Sequence, residues 1–389
     1  MKRFLSLSMT CMMLVSFMMP TALAQEAKTQ LADEAMSAIL IERDTGAILY
    51  EKNAHDKLPP ASMTKIMTML LMMEAIDEGR LKWEDKIRTS ERAASMGGSQ
   101  VFLEPGEEMT ASDMLKAIAI ASGNDASVAV AEHLAGSEEE FVRMMNEKAK
   151  ELGLKNTHFS NSNGLPVENH YSTAYDLAMM SKELMKYDEI TKYTGIYEDY
   201  LRENTDKRFW LVNTNKLVRF YPGVDGIKTG FTREAKYCLA ATAKKDGMRV
   251  IAVVMGSATS KERNRQVTEM LDYSFSQFMT HQLHEKGEII DEVKISKGEK
   301  VKVPLALAES VSVLTKKGEQ LDNITKKVNI DENLKAPIKK GDKLGTLTIE
   351  KDGKVLSDTK LVAAEDIDAA SWWQLFKRTV GNIGNPSND

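Results

Sequence analysis

Ser62 and Lys65 stand three residues apart in Ser62-Met63-Thr64-Lys65. The pattern follows Pro59-Pro60 and falls in the first turn of a helix predicted from Ala61 to Asp77, ending near Gly79. Both side chains then share one face. A serine hydroxyl is a weak nucleophile and needs a neighbouring base. A lysine serves as that base when burial and nearby positive charge lower its pKa. The helix start adds backbone N–H donors beside the hydroxyl. Such a pair suits acyl transfer. The spacing alone is weak evidence, since it arises about once by chance in a chain of this length. Ser357-Asp358-Thr359-Lys360 repeats it. That copy lies in a predicted strand, where positions three apart face opposite sides.

Two further groups qualify. Ser122-Gly123-Asn124 sits between helical patterns at Met114–Ala121 and Asp125–Leu134. Taken alone, Ser122 or Asn124 reads as an ordinary cap of the second helix. Lys228-Thr229-Gly230 precedes a strand at Tyr237–Lys244 and, alone, reads as a strand end with an exposed charge. The elements that must position these groups are legible. Strands at Ala38–Ile41 and Ala47–Tyr50 flank the turn Asp44-Thr45-Gly46, and strands at Tyr237–Lys244 and Met248–Met255 flank Asp246-Gly247. Helical patterns run over Glu138–Leu152, Tyr175–Tyr187 and Lys261–Met279. Residues 25–35 read as a flexible leader. Strands, then many helices, then strands and a helix make the order α+β, with the strands meeting in one mainly antiparallel sheet.

Ser-x-x-Lys, Ser-x-Asn and Lys-Thr-Gly in this order form the signature set of penicillin-binding proteins and serine β-lactamases, although Ser-Gly-Asn stands here where Ser-Asp-Asn is usual. The sequence resembles the low-molecular-mass penicillin-binding proteins that are serine-type D-alanyl-D-alanine carboxypeptidases. Ala38–Tyr50, Pro60–Lys65, Ser122–Asn124, Asn156–Phe159, Gly164-Leu165, Asp225–Gly230 and Val254–Gly256 carry the resemblance across nearly the whole chain. It implies an antiparallel sheet flanked by helices with a helical subdomain, a small β-rich C-terminal domain and an amphipathic tail helix. It implies that Ser62 is the acyl-ester nucleophile and that Lys65 accepts its proton. Ser122 would pass a proton to the leaving D-alanine, bridging Lys65 and Lys228. Asn124 would hold the substrate amide, and Lys228 and Thr229 of the Lys228-Thr229-Gly230 motif would bind the terminal carboxylate. The N–H groups of Ser62 and Phe231 would form an oxyanion hole. Arg263 sits where the family places an arginine near the carboxylate. Phe231 departs from the histidine that relatives often carry. The implied substrate is a peptidoglycan stem peptide ending in D-Ala-D-Ala, with β-lactams as covalent inhibitors.

The 389 residues have ordinary globular composition, 42% hydrophobic and 28% charged, and a formal net charge of −5. That charge makes nucleic acid a poor partner. Cys11 and Cys238 are the only cysteines, which excludes a disulfide framework and a cysteine zinc site. His281 and His284 lack a partner at zinc spacing, so neither metal nor cofactor is expected. A β-lactamase needs a deacylating carboxylate, and between Ser122 and Lys228 only Glu168 comes near. A D,D-endopeptidase, or a β-lactam sensor that acylates without turnover, would carry the same motifs.

Residues 1–24 read as a secretory signal: Lys2 and Arg3, an apolar run, then Ala22-Leu23-Ala24. Its removal takes the formal charge from −5 to −7. Residues 25–284 form the expected catalytic domain. Residues 285–365 form a β-rich domain, where Val301, Val303 and Leu305 alternate with polar neighbours. In the tail, 366–389, Trp372, Trp373, Phe376, Val380 and Ile383 recur on one helical face opposite Lys377 and Arg378. Such a helix suits a membrane interface, which would place an exported protein on the outer face of the cytoplasmic membrane.

Overall fold

The computed structural model describes residues 30–383; the expected signal at 1–24 lies outside them. Ser37–Glu42, Met248–Ser257 and Lys236–Lys245 form the middle of a five-stranded antiparallel sheet, edged by Ile48–Lys52 and Val224–Thr232. The Asp44–Gly46 turn joins the first two strands, with Gly46 at φ +73°. Strand Ser37–Glu42 is buried at every position, so both faces of the sheet are covered. Ile39, Ile41, Ile251 and Val253 join the main core. Leu40, Ala252 and Val254 are buried too, and alternation turns them to the opposite face. The helix Ser260–Gln277 is entered through a capping box, in which Thr259 and Glu262 satisfy each other's backbone N–H.

The helix Lys65–Asp77 is buried almost all round. This explains its methionines: a helix with no solvent face needs adaptable apolar side chains throughout. Its first turn, Ala61–Thr64, is a 3-10 turn. The helices Ala111–Ala119, Asn124–Ala135, Glu138–Glu151 and Ala174–Leu184 surround it. Thr110, Ser137 and Thr173 cap three of them through their hydroxyls.

Three expectations need correction. Residues 32–35 of the expected leader are packed. Ala32 and Ala35 are buried, and the Lys52 ammonium donates to the carbonyls of Ala32, Asp33 and Ala35. The helix expected to reach Met279 ends at Gln277, because Phe278 turns extended and starts the strand Phe278–His284, which pairs with Val311–Lys316. Aromatic and β-branched partners across that pair outweigh continued helical spacing. Third, neither Ser122 nor Asn124 caps the second helix; Gly123 is the N-cap and no side chain closes it.

Beyond this helix the chain forms a second five-stranded sheet, ordered Ile289–Lys294, Lys302–Leu307, Lys354–Ala363, Lys343–Lys351, Ile324–Ile330. Val303, Leu305, Val313, Ile349 and Leu361 anchor a separate core. The Lys186–Glu309 ion pair (2.8 Å) and a bond from Ser312 to Asp44 (3.0 Å) tie it to the first half. The helix Trp372–Ile383 follows, with Trp372, Trp373 and Phe376 exposed. Among the described residues no helix is long and apolar enough to cross a membrane.

Candidate active site

The 3-10 turn puts Ser62 at the lip of a cleft of about 460 Å³. Lys65, one turn on and fully buried, places Nζ 3.2 Å from Ser62 Oγ. Nζ also donates to Asn124 Oδ1 (2.6 Å) and to the Asn163 carbonyl (2.6 Å). Those two oxygens only accept. A neutral amine has two N–H donors and one lone pair. In the neutral form both donors go to Asn124 and Asn163 and the lone pair is left for the Ser62 hydroxyl, whereas the ammonium would donate to all three oxygens. Burial holds the Lys65 pKa well below the ordinary lysine value, and Lys228 lowers it further against the opposing pull of Asp125. The geometry accommodates either form, and burial beside Lys228 favours the neutral amine.

The backbone before the nucleophile is constrained. Ala61 has φ +48° and Ser122 has φ +63°, both in the left-handed region that costs non-glycine residues energy. Gly164 passes so close that a Cβ there would meet the Ala61 carbonyl oxygen at 1.9 Å. The Gly164 loop is itself fastened. Ser162 gives its N–H to Glu138, and its carbonyl accepts from Thr68 and Ser127. His170 accepts from Ser160 N–H through Nδ1, so its Nε2–H donates to Thr64 Oγ1 (2.7 Å), which donates to the Ala61 carbonyl. Burial brings His170 down to about 4, which keeps it neutral for this task.

Ser122 Oγ is buried and makes no hydrogen bond. The bridge between Lys65 and Lys228 expected of it is not formed in this state, although Ser122 lines the same cleft as Ser62. Asn124 spans from Lys65 to the Gly97 carbonyl (2.6 Å). Lys228, Thr229, Gly230 and Phe231 lie on the edge strand Val224–Thr232. An edge strand offers unpaired backbone groups for an extended peptide. Gly230 is required there, since a Cβ would meet the Pro60 carbonyl oxygen at 2.8 Å. Burial lowers Lys228 to about 7, helped by Arg263; Arg263 is itself lowered to about 10 by burial. Thr229 Oγ1 donates to Thr214 Oγ1 at 2.7 Å. Arg263 lines the cleft and rests against Asn264 Oδ1. Phe231 is exposed and packs on Tyr237, ring centres 4.4 Å apart.

All nine candidate residues therefore converge on or beside one cleft. Sequence reasoning missed Asn163, Asp125 and Thr214. Asn163-Gly164 signals a turn, but nothing local says that its carbonyl reaches Lys65. Asp125 accepts from the N–H groups of Val101, Leu103 and Ala126, which holds the loop facing Asn124. Glu168 lines a neighbouring cavity rather than the cleft of Ser62. His281 bonds Thr315, and His284 bonds Glu288.

A family model described as D-alanyl-D-alanine carboxypeptidase matches residues 24–259, and one described as penicillin-binding protein 5, C-terminal domain, matches residues 278–369. The chain is 60% identical over 385 residues to D-alanyl-D-alanine carboxypeptidase DacF of Bacillus subtilis (strain 168), covering 98% of this chain and 99% of that protein. Crystal structures of penicillin-binding protein 5 from Haemophilus influenzae superpose with a TM-score of 0.67 at 31% identity, over 87% of this chain and 98% of that one. The ampicillin-bound penicillin-binding protein D2 of Listeria monocytogenes superposes with a TM-score of 0.56 at 32% identity, over 62% of this chain and 98% of that one.

Proposed function

The chain belongs to the D-alanyl-D-alanine carboxypeptidase family of serine peptidases, and we propose that it removes the terminal D-alanine from peptidoglycan stem peptides through an ester on Ser62. The stem lies extended along the edge strand, its terminal carboxylate against Lys228, Thr229 and Arg263 and its amide against Asn124. Lys65 takes the proton as Ser62 Oγ attacks the carbonyl of the penultimate D-alanine. The N–H groups of Ser62 and Phe231 receive the developing oxyanion. Ser122 relays the proton from Lys65 to the departing amine, and water then hydrolyses the ester. The observation that carries this reading is the buried Lys65, its Nζ 3.2 Å from Ser62 Oγ and bonded to Asn124 and Asn163. β-Lactams acylate the same Ser62 hydroxyl, the lactam C–N bond opening as a stable ester forms.

The test is D-alanine release from a peptide ending in D-Ala-D-Ala, with Ser62→Ala as control. Release that vanishes in the variant supports the reading. A β-lactam ester at Ser62 without release points to a sensor or an endopeptidase. Release that persists without Ser62 overturns it.

Residues 1–24 direct export, and the mature protein works on the outer face of the cytoplasmic membrane. The division follows 25–284 catalytic, 285–365 β-rich and 366–389 anchor; the pairing of Phe278–His284 with Val311–Lys316 argues for moving that strand into the β-rich domain. The exposed Trp372, Trp373 and Phe376 support the tail as a peripheral anchor. Deleting residues 372–389 keeps the Gly298–Ala369 bridge. The truncated protein is expected to leave the membrane fraction with its activity intact; retention there would rule out the tail as anchor.

A further inference from the structure

From Leu211 to Val218 the chain alternates strictly between buried and half-buried positions. Asn213 and Asn215 point inward. Asn213 Nδ2 donates to the carbonyls of Thr194 and Ile196, and its Oδ1 accepts from Asn215 N–H. Asn215 Nδ2 donates to the Gly226 carbonyl, on the strand that carries Lys228, and its Oδ1 accepts from Leu217 N–H. Both asparagines are almost wholly buried, and a buried amide is tolerated only when its donors and acceptors are met. The segment is thus fixed in register against the strand of the carboxylate-binding motif. Of the four half-buried residues, Val212, Thr214 and Lys216 line the cleft of Ser62 and Val218 does not.

Lys216 has a resting place but no counter-ion. Its Nζ lies over the Tyr197 ring, 5.2 Å from the centre. Among the described residues no carboxylate pairs with it. A lysine over an aromatic face keeps most of its appetite for an anion, because that attraction is weaker than a charge-assisted hydrogen bond. The same cleft is lined by Thr214, whose hydroxyl bonds Thr229, and by Arg263 and Ser260.

We infer that Lys216 is a specificity residue for the reaction: its ammonium leaves Tyr197 and engages the free carboxylate at the end of the substrate, so that the cleft prefers peptides with an unblocked terminus. The inference rests on the proposed carboxypeptidase reading and names a residue that the three motifs do not contain. Asn213 and Asn215 are positioning residues that aim it. Lys228 is buried, its Nζ donating to the Thr229 carbonyl, and Arg263 is turned onto Asn264. Lys216 is the long, mobile cation of the set, and it can follow a carboxylate as the substrate enters.

The experiment compares two peptides on the full chain, one ending in D-Ala-D-Ala with a free carboxylate and one with the terminal carboxyl as an amide. The measured quantity is the ratio of their kcat/KM values, from released D-alanine and D-alaninamide. Lys216→Ala is expected to lower that ratio about tenfold, through KM for the free acid. Lys216→Arg, which keeps the charge, is expected to hold the ratio within about threefold of the wild type. A merely structural role would lower both substrates alike and leave the ratio unchanged. An unchanged ratio in a Lys216→Ala protein, where the wild type releases D-alanine, overturns the role of Lys216 and leaves the carboxypeptidase reading standing. A wild type that releases no D-alanine overturns both.

Discussion

At Ser62–Lys65 the chain passes through a 3-10 turn into a helix, and Lys65 comes to rest buried against Ser62 Oγ. At Ser357–Lys360 the same spacing runs extended in the strand Lys354–Ala363. There Ser357 pairs with Ile349 and Lys360 with Thr346, and the two side chains point to opposite faces. Lys360 stands in solvent. The contrast separates what spacing supplies from what surroundings supply. A helical turn brings the two groups within reach. Burial and the nearby charge of Lys228 then lower the lysine towards a base, and no part of that is encoded in the four residues themselves.

The largest expected effect tests that contrast directly. Ser62→Ala should lower D-alanine release more than about 10³-fold and abolish labelling by a fluorescent penicillin. Ser357→Ala should change neither. A loss in the Ser357 variant would break the comparison.

Next in size is Lys65. Arginine stays charged at any accessible pH, so Lys65→Arg should cost about 10²- to 10³-fold in acylation rate, measured by stopped-flow penicillin binding. On the proposed mechanism the neutral amine is the active form. Activity therefore rises with pH as Lys65 loses its proton, at a pH well below the ordinary lysine value. Lys228, lowered to about 7, holds the carboxylate only while charged, so binding weakens above that pH. Together the two limbs make the kcat/KM profile bell-shaped, with apparent values belonging to the coupled pair. A flat profile would contradict both assignments.

Much of the site was legible because its residues stand in short motifs with recognisable elements around them. The Pro59-Pro60 stop, the flanking helical patterns and the Asp246-Gly247 turn place those motifs on a helix start, an interhelical loop and a strand edge. The fold class followed from element order. What stayed illegible is long-range. The Asn163 carbonyl reaches Lys65 across 98 positions of sequence. Glu138, an exposed-looking charge at a helix start, takes the Ser162 N–H from another loop. The start of the strand Phe278–His284, at Phe278 and Met279, reads as helix because its partner, Val311–Lys316, lies beyond any local window.

Glycines sharpen the comparison at a third level. Gly164, at φ +87°, has the Ala61 carbonyl carbon 2.4 Å and the Ser62 nitrogen 2.9 Å from where a Cβ would sit. Gly353, in the β-rich region at φ +78°, has nothing within 4 Å. Gly164→Ala should push the nucleophile turn out of place and lower D-alanine release about 10²-fold. Gly353→Ala should cost only the backbone penalty, about 1 kcal/mol of stability by thermal denaturation, with activity unchanged. Equal effects at the two positions would mean that Gly164 matters for its backbone angle alone.

The smallest effect concerns the stability that the site gives up. Lys228 binds a proton with a value of about 7 when folded, against 10.5 for an ordinary lysine. Between those values the unfolded chain holds more protons than the folded one, so stability rises with pH across that window. Lys228→Met removes the buried cation while filling similar space. It should raise Tm by about 2–4 °C at pH 7.5 and make the slope of Tm with pH shallower, without flattening it, because Lys65 still contributes. It should also weaken binding of the substrate carboxylate. Lys360→Met, on the solvent side of its strand, should leave the pH slope where it was. If Lys228→Met destabilises the protein at neutral pH, the buried ammonium is a structural support, and the reading of the cleft as a place where stability is traded for charge fails.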